Sequence, residues 1–535
     1  MTAAADTAVG VNPANITEPE RRALVRKLYI RILPILFFLY LFSFLDRVSI
    51  GNSRLYDIEK DLSISATQFS WSVSGFFIGY VLLQWPSNLM LKKTSPRTWI
   101  AFITFAWGIT ASAMAFSRSF QGLLVLRVLL GCAEAGLVPG CIYYLSFWFC
   151  KNEQATTTAI FMAAPSVSRI IGGFLASAIG HMHGTAGWSA WRWLFLLEGL
   201  PSFVLCAVVL IWLPNYPATA KFLSEKERAY AASRIEHDSH GQSKERDSES
   251  APVTTKDDEE HTGEQQSQLQ QQQQQQQHSE VVLSKERKRE LFWQEVRATV
   301  FDWYNIAICI CKFCYAFIGY SLKLLMPTLL HKLGFKATDA QLLTVPHPAL
   351  ELIALFVLAR ISDIKGVRSI YLIIGGSLSS AMFLALTIMG EHGLWSKYVL
   401  LILSNIPGNI LGPIITAWGV AMNNRSATVL LPSSKDTNGH LDEKDNQERL
   451  IQLEEYREAT KVRLATFTAI MFMSSNIGGI VSGFSFPEWD APGYRFSQGI
   501  NTALMIVYTV LIIAMQISIK RFNSRQPPSA WSYPI

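Results

Sequence analysis

The sequence predicts an all-α integral membrane protein with twelve transmembrane helices in two six-helix bundles. Three observations carry that prediction. Half of the 535 residues are hydrophobic and only 16% are charged, too little to cover a soluble chain of this size. Twelve apolar runs are each long enough to cross a bilayer, where a helix needs roughly 20 residues. A polar, glutamine-rich stretch divides those runs six and six.

The N-terminal tail, 1–28, is polar and carries Arg21, Arg22, Arg26 and Lys27. The apolar run that follows, Leu28 to Phe44, is too long for a signal-peptide core and lacks a small-residue cleavage site, so it reads as a retained first span. The N-terminal bundle, 29–213, is expected to hold Tyr29–Ser49, Phe69–Leu91, Arg97–Phe116, Gly122–Cys150, Ala155–Met182 and Trp191–Leu213. The C-terminal bundle, 301–519, is expected to hold Trp303–Leu330, Gln341–Arg360, Ser369–Met389, Trp395–Ala421, Leu464–Phe484 and Ile500–Ile519. Between them the linker 214–300, with a glutamine run from Gln270 to Gln277, cannot bury apolar area and is expected to be largely disordered. Its last part, Glu286 to Phe301, has the spacing of a helix lying on the membrane surface. A second polar insertion, 425–460, reads as a solvated loop ending in a short helix through Glu454, Glu455 and Arg457, and 520–535 forms a C-terminal tail.

Lys and Arg concentrate on one side of these spans, in the N-terminal tail, at Lys92, Lys93, Lys151, Arg360, Lys365, Arg368, Lys461, Arg463, Lys520 and Arg521. The positive-inside bias makes that side cytoplasmic, together with both termini, and the plasma membrane the expected location. The net charge of +6 is mild and lies mostly in these flanks, so it gives no reason to expect a nucleic acid partner. The seven Cys fall almost wholly in apolar runs, which argues against a disulfide framework. Cys309, Cys311 and Cys314 lack matching metal ligands and read as packing residues. No nucleotide loop, metal spacing or nucleophile motif is present, so neither an enzyme nor a cofactor is expected.

Charged residues inside spans are costly, at least about 2.5 kcal/mol each at bilayer depth, and each marks a candidate site. Arg127 and Glu134 lie in the fourth span; seven residues is close to two helical turns, so they share a face about 10 Å apart along the axis. Asp46 and Arg47 sit near the expected outer end of the first span. A carboxylate beside a guanidinium in a low-dielectric cavity feels two opposed influences, which suits it to load and release protons. On this reading, protonating Glu134 frees Arg127 for a cargo carboxylate, and the Asp46–Arg47 pair repeats the exchange; the alternatives are a fixed Arg127–Glu134 ion pair that holds helices together and a structural or gating role for Asp46–Arg47. Arg169 in the fifth span either adds a cation for a dianion or pairs with an acid such as Glu198. Lys312 and Lys323 share one face of the seventh span, and Lys323 is the better candidate for cargo. His347 and Glu351, four apart in the eighth, read as a polar pair. Asn405 and Asn476, with neighbouring Pro and Gly, mark bent helices of the kind that line transporter cavities. Tyr143 and Tyr144 face either that cavity or lipid.

Several stretches resemble a known family. Leu-Asp46-Arg47-Val-Ser-Ile-Gly-Asn52, Gln84-Trp-Pro-Ser-Asn-Leu-Met-Leu-Lys-Lys, Arg127 with Gly131 and Glu134-Ala-Gly, Trp191-Arg-Trp-Leu-Phe-Leu-Leu-Glu-Gly, and Asn476-Ile-Gly-Gly resemble the major facilitator superfamily. More narrowly, they are similar to its anion:cation symporter branch and fungal allantoate-permease-like members. The resemblance implies a major facilitator fold, alternating access and proton-coupled uptake of a small organic anion, such as a carboxylate vitamin or an allantoate-like nitrogen source, by a monomer in the lipid bilayer. It places proton coupling on Asp46 and Glu134, and cargo binding on Arg47 and Arg127. Asp363, in Ala-Arg-Ile-Ser-Asp-Ile-Lys-Gly-Val-Arg, and Glu153 match the family's gating acids. The loop Lys92-Lys-Thr-Ser-Pro-Arg lacks its acid, and Thr156 to Thr158 stand where an Arg is common, so a weaker salt-bridge network is expected on that side. An exporter of an acidic metabolite and a transporter-like nutrient sensor remain alternatives.

Overall fold

The computed structural model describes residues 17–234, 284–365, 368–389, 393–423 and 443–525. Among these residues the chain is helical throughout, without strands. Among the described residues nine helices are long and apolar enough to cross a membrane. The other three expected spans coincide with the long helices Ala66–Lys93, Pro96–Met114 and Pro346–Lys365.

In chain order the helices are α1 (Glu18–Ser53), α2 (Ala66–Lys93), α3 (Pro96–Met114), α4 (Phe120–Glu134), α5 (Leu137–Leu145), α6 (Lys151–Gly180) and α7 (Ala190–Trp212). After the linker come α8 (Lys285–Phe301), α9 (Trp303–Lys332), α10 (Pro346–Lys365), α11 (Arg368–Met389), α12 (Leu394–Asn423), α13 (Glu443–Ser482) and α14 (Arg495–Asn523). At 1.5 Å per residue the 36 residues of α1 run about 54 Å, so this helix extends well past the expected span at its N-terminal end. Its Asp46 and Arg47 are therefore not at a wet helix end; both are buried, with seven and six more residues of α1 beyond them.

Local chemistry sets the boundaries. Ser65 and Gln68 form a reciprocal capping box at the start of α2, with 3.2 and 2.9 Å bonds. The expected fourth span divides into α4 and α5 because Pro139 has no N–H for the Ala135 carbonyl. The eighth begins at Pro346 rather than Gln341, since residues before a proline avoid the α region; Gln341 lies instead in the short helix Ala337–Leu342. The short helix expected through Glu454 is continuous with the eleventh span as α13, a stretch without Gly or Pro until Gly478.

By contacts the described residues group into two compact units. The first takes those of Met1–His240, Cys309–Ile415 and Phe472–Ile513. Within it α2 packs on α4, α3 on α7, and α1 on both α6 and α7, while α6 also packs on α10. Close approach is built in at Gly51, where a Cβ would lie 1.7 Å from the Leu324 carbonyl oxygen of α9, and at Gly483, where it would lie 2.8 Å from that of Ser70. Arg54 bridges Glu59 (2.9 Å) and Glu488 (3.0 Å), and Ser74 donates to the Ile480 carbonyl at 2.6 Å.

The expected linker is not uniformly free of structure. Residues 214–234 pack in the first unit, with Ala220, Leu223 and Ala231 buried and a helix over 225–234. Tyr144 donates to the Pro214 carbonyl (2.6 Å), Lys27 pairs with Glu227, and the Arg31 guanidinium lies over the Phe222 ring. These apolar anchors sit between charges, a pattern that composition averaged over 214–300 hides. The glutamine run lies outside the described residues.

The second unit takes the described residues of Gly241–Ile308, Thr416–Met471 and Ala514–Ile535. The stretch Glu286 to Phe301 is helical, as α8, and it is tied to α13 by Arg287–Glu455 (2.7 Å) and Glu295–Arg463 (2.8 Å). Asn305 and Asn423 exchange side-chain hydrogen bonds of 3.2 and 2.8 Å nearby.

Candidate functional site

Most of the buried charges of the first unit fall into three groups; Lys312, 5.2 Å from the Tyr315 ring centroid, and Lys397 are buried outside them. In the first, Glu134 at the end of α4 accepts from Ser43 (2.7 Å) and from the Arg47 guanidinium (3.1 Å), both on α1. All are sealed: Arg47 is 5% exposed, Ser43 1% and Glu134 0%. Arg47 lies over Phe76 and Tyr80 of α2, at 4.6 and 5.1 Å from the ring centroids. The Arg127–Glu134 exchange expected from spacing is thus corrected. A shared face on one helix aims both side chains at α1, but the nearer cation comes from α1 itself. Arg127 spreads its fork over three main-chain oxygens, those of Ser72 (3.3 Å), Asp46 (3.4 Å) and Arg47 (3.3 Å). It ties α4 to α1 and α2, and it lies 5.4 Å from the Phe76 ring.

Asp46 is 1% exposed, and its Oδ2 has no hydrogen-bond partner among the described residues. It does not pair with Arg47, its chain neighbour, whose side chain turns to Glu134 instead.

The second group lies where α6, α9 and α10 meet. Arg169 pairs with Glu351, contacts His347 Nδ1 at 3.3 Å and reaches Ser166 Oγ at 3.5 Å. Its expected partner Glu198 is elsewhere, and His347 and Glu351 meet through Arg169, four residues apart on α10. Arg169, His347 and Lys323 line one small cavity of about 30 Å³ together with Asn52, Thr344 and Pro327. That volume holds one or two waters, and no cargo. Lys323 lies 5.9 Å from the Tyr320 ring centroid.

The third group is Glu198 on α7 with Ser49 on α1, which are hydrogen-bonded. Sequence reading took Glu198 only as a partner for Arg169. What it lacked was the packing of α7 on α1, which sets a carboxyl against a serine.

Other expected site residues stand apart. Asn405 is buried on α12, outside the cavity lining, and Asn476 donates to Gln84 Oε1 at 3.2 Å. Tyr143 is on the surface, whereas Tyr144 is buried and holds the linker. Glu153 accepts from the Cys150 N–H at the start of α6 and pairs with Arg234 at 3.1 Å. Arg234 also donates to the Trp148 carbonyl at 2.9 Å. The linker thus brings an arginine to the acid that Thr156 to Thr158 leave unpaired. Asp363 lies on the last turn of α10, and its side chain falls outside the described residues.

Residues 36–430 match the family model described as Major Facilitator Superfamily. A protein of Agrobacterium vitis whose name proposes tartrate transport is 43% identical over 213 residues, 40% of this chain and 47% of its own length. The chain thus spans about half the length of such relatives. The MFS transporter prlL of a fungal species (strain NRRL 50135) is 29% identical over 409 residues, 75% of this chain and 74% of that protein. The fold is similar to a crystal structure of a D-xylose-proton symporter, with a TM-score of 0.58 at 11% identity, covering 90% of this chain and 97% of that one. Fold and relatives alike are those of membrane transporters rather than enzymes. This multi-pass membrane protein belongs to the Major Facilitator Superfamily.

Proposed function

We propose that the protein is a proton-coupled symporter of a small organic acid, importing it across the plasma membrane by alternating access as a monomer with both termini cytoplasmic. The observation that carries this reading is the Arg169–Glu351 pair beside Lys323 and His347 at one cavity. Glu351 occupies the guanidinium that a cargo carboxylate needs, so cargo and protein acid compete for one cation. Lys323 across the cavity offers a second cation, which suits a dicarboxylate; the relative named for tartrate supports the same class. Because the cavity holds one or two waters, admission of cargo requires the helices around it to part.

Arg47 and Glu134 supply the second half of the mechanism. Protonating Glu134 removes the charge that holds Arg47 and leaves the guanidinium to the aromatic rings and to any anion that arrives. Asp46 is the companion proton site. Arg127 takes a positioning role, holding the α1 backbone at these two residues, and Glu153, Arg234 and Asp363 belong to gating. Proton coupling also has an electrical rationale. An anion entering against a negative interior costs about 2.3 kcal/mol per charge per 100 mV, and each accompanying proton cancels one charge.

The test is uptake by the expressed protein of labelled carboxylates, tartrate and allantoate included, under an inward acid gradient. Accumulation that a protonophore abolishes and that Arg169→Ala lowers at least tenfold is expected. Transport of neutral solutes alone, or carboxylate uptake indifferent to the gradient, would overturn the reading.

A further inference from the structure

We propose that Glu198 is a third proton-carrying carboxyl of the transport cycle, loaded in the packed state described above through its hydrogen bond to Ser49. This role rests on the proton-coupled reading.

Ser49 Oγ has one hydrogen, and two acceptors face it: the Leu45 carbonyl at 2.7 Å, one turn back on α1, and Glu198 Oε2. A serine hydroxyl donates once and accepts twice. Both contacts are satisfied together when the carboxyl brings a hydrogen of its own, so that Glu198 donates to Ser49 and Ser49 donates to Leu45. An ionised Glu198 forces the two acceptors to share one hydrogen.

Surroundings point the same way. Glu198 is 1% exposed, and its Oε1 has no hydrogen-bond partner among the described residues. No cation lies within ion-pair distance of it among them. From α1 the groups facing it are Ser49 and the Asp46 carboxyl, whose charge is of the same sign. On α3 the one charged residue is Arg97, in the first turn, and Ser112 stands against Gly199. On α6 Arg169 is taken by Glu351, and in the turn after α1 Arg54 is taken by Glu59 and Glu488. A lone buried carboxylate is costly to keep ionised, and the group avoids that cost by holding a proton.

Function follows from what ends this state. Ser49 lies on the helix that carries Asp46, Arg47 and Gly51, and Gly51 abuts α9. Because the Ser49 contact joins α1 to α7, the proposed cycle requires α1, as it parts from α9 to admit cargo, to shift on α7 as well, which breaks that contact and lets water reach the carboxyl. The O–H bond then breaks heterolytically, the proton passing to water and the electron pair staying on Glu198. Reloading reverses the step.

Infrared spectroscopy of the purified full-length protein tests this without cargo. At neutral pH the wild type should show a protonated-carboxyl C=O band that Glu198→Gln removes and Ser49→Ala shifts by weakening its hydrogen bond. Alkaline titration should bleach it. A Glu198→Gln spectrum equal to wild type overturns the proposal, and so does a band that no accessible pH removes, which marks a structural acid. Should Glu198→Gln fail to fold, an unshifted band in Ser49→Ala decides against it. In proteoliposomes with tartrate as probe, Glu198→Gln should carry one proton fewer per tartrate than wild type, and an unchanged ratio overturns proton carriage. Absence of tartrate uptake by the wild type counts against the cargo reading and leaves the infrared result standing.

Discussion

Arg127 and Glu134 stand seven residues apart on one helix, and each has a different partner. Glu134 meets Arg47, so removing either member leaves a buried charge alone, at about 3–5 kcal/mol. Glu134→Ala and Arg47→Ala should each lower thermal stability in detergent by that order, and the double variant should recover part of it in a double-mutant cycle. Independent, additive losses would show that the pair does not couple. Arg127→Lys is expected to act on structure before it acts on cargo. An ammonium has three donors, but they radiate from one nitrogen, whereas Arg127 reaches its three carbonyls on two helices from three nitrogens, and each carbonyl left without its donor costs roughly 1–3 kcal/mol. Thermal unfolding should move down, with any loss of cargo affinity secondary to it. The charged residues were legible in the sequence because charge in an apolar run is conspicuous. Their partners were not, because Arg47–Glu134, Arg169–Glu351 and Ser49–Glu198 join helices 87, 182 and 149 residues apart in the chain. Spacing along one helix says which face a residue takes and nothing of who stands opposite.

Among the elements, α1 shows how much a helix can be asked to do. It carries Asp46, Arg47, Ser49 and Gly51 within six residues, and Gly51 lets it touch the α9 backbone. Gly51→Ala inserts a methyl group where a carbonyl oxygen already lies, and a backbone cannot swing aside as a side chain does. The variant should insert into the membrane normally but fail to reach the packed state. A cysteine pair placed at Ser74 and Ile480, which meet in that state, should cross-link at least tenfold more slowly on the Gly51→Ala background. Equal cross-linking would show that the contact is not required. Hydropathy located the helices well: among the described residues eleven of the twelve apolar runs coincide with one long helix each, and the fourth with the pair α4 and α5. It failed at their ends, where Pro139, Pro346 and the glycine-free start of α13 decided the matter through single backbone groups.

For the molecule as a whole, the linker 214–300 changes from a spacer into three parts. Residues 214–234 belong to the first unit, α8 to the second, and 235–283 lie between them in sequence. Removing 240–280 should leave uptake within about twofold of wild type. Removing 217–234 should not, because Arg234 then no longer neutralises Glu153. The docking has a pH signature as well. Burial pushes the Glu227 carboxyl up, but the Lys27 ammonium and the Ser224 N–H hold it below the ordinary glutamate value of 4.5. A depressed carboxyl stabilises the folded form above that value and loses its contribution as pH falls through the lower one. A spin label on 225–234 should therefore stay immobilised from neutral to mildly acid pH and loosen only below about 4.5. Because each anchored portion of the linker stays with its own unit, the covalent thread between residues 240 and 280 is dispensable in principle. Two separately encoded polypeptides, divided there and produced in one cell, should find each other and reconstitute a working carrier, whereas a division at residue 216 should strand Arg234 on the wrong fragment.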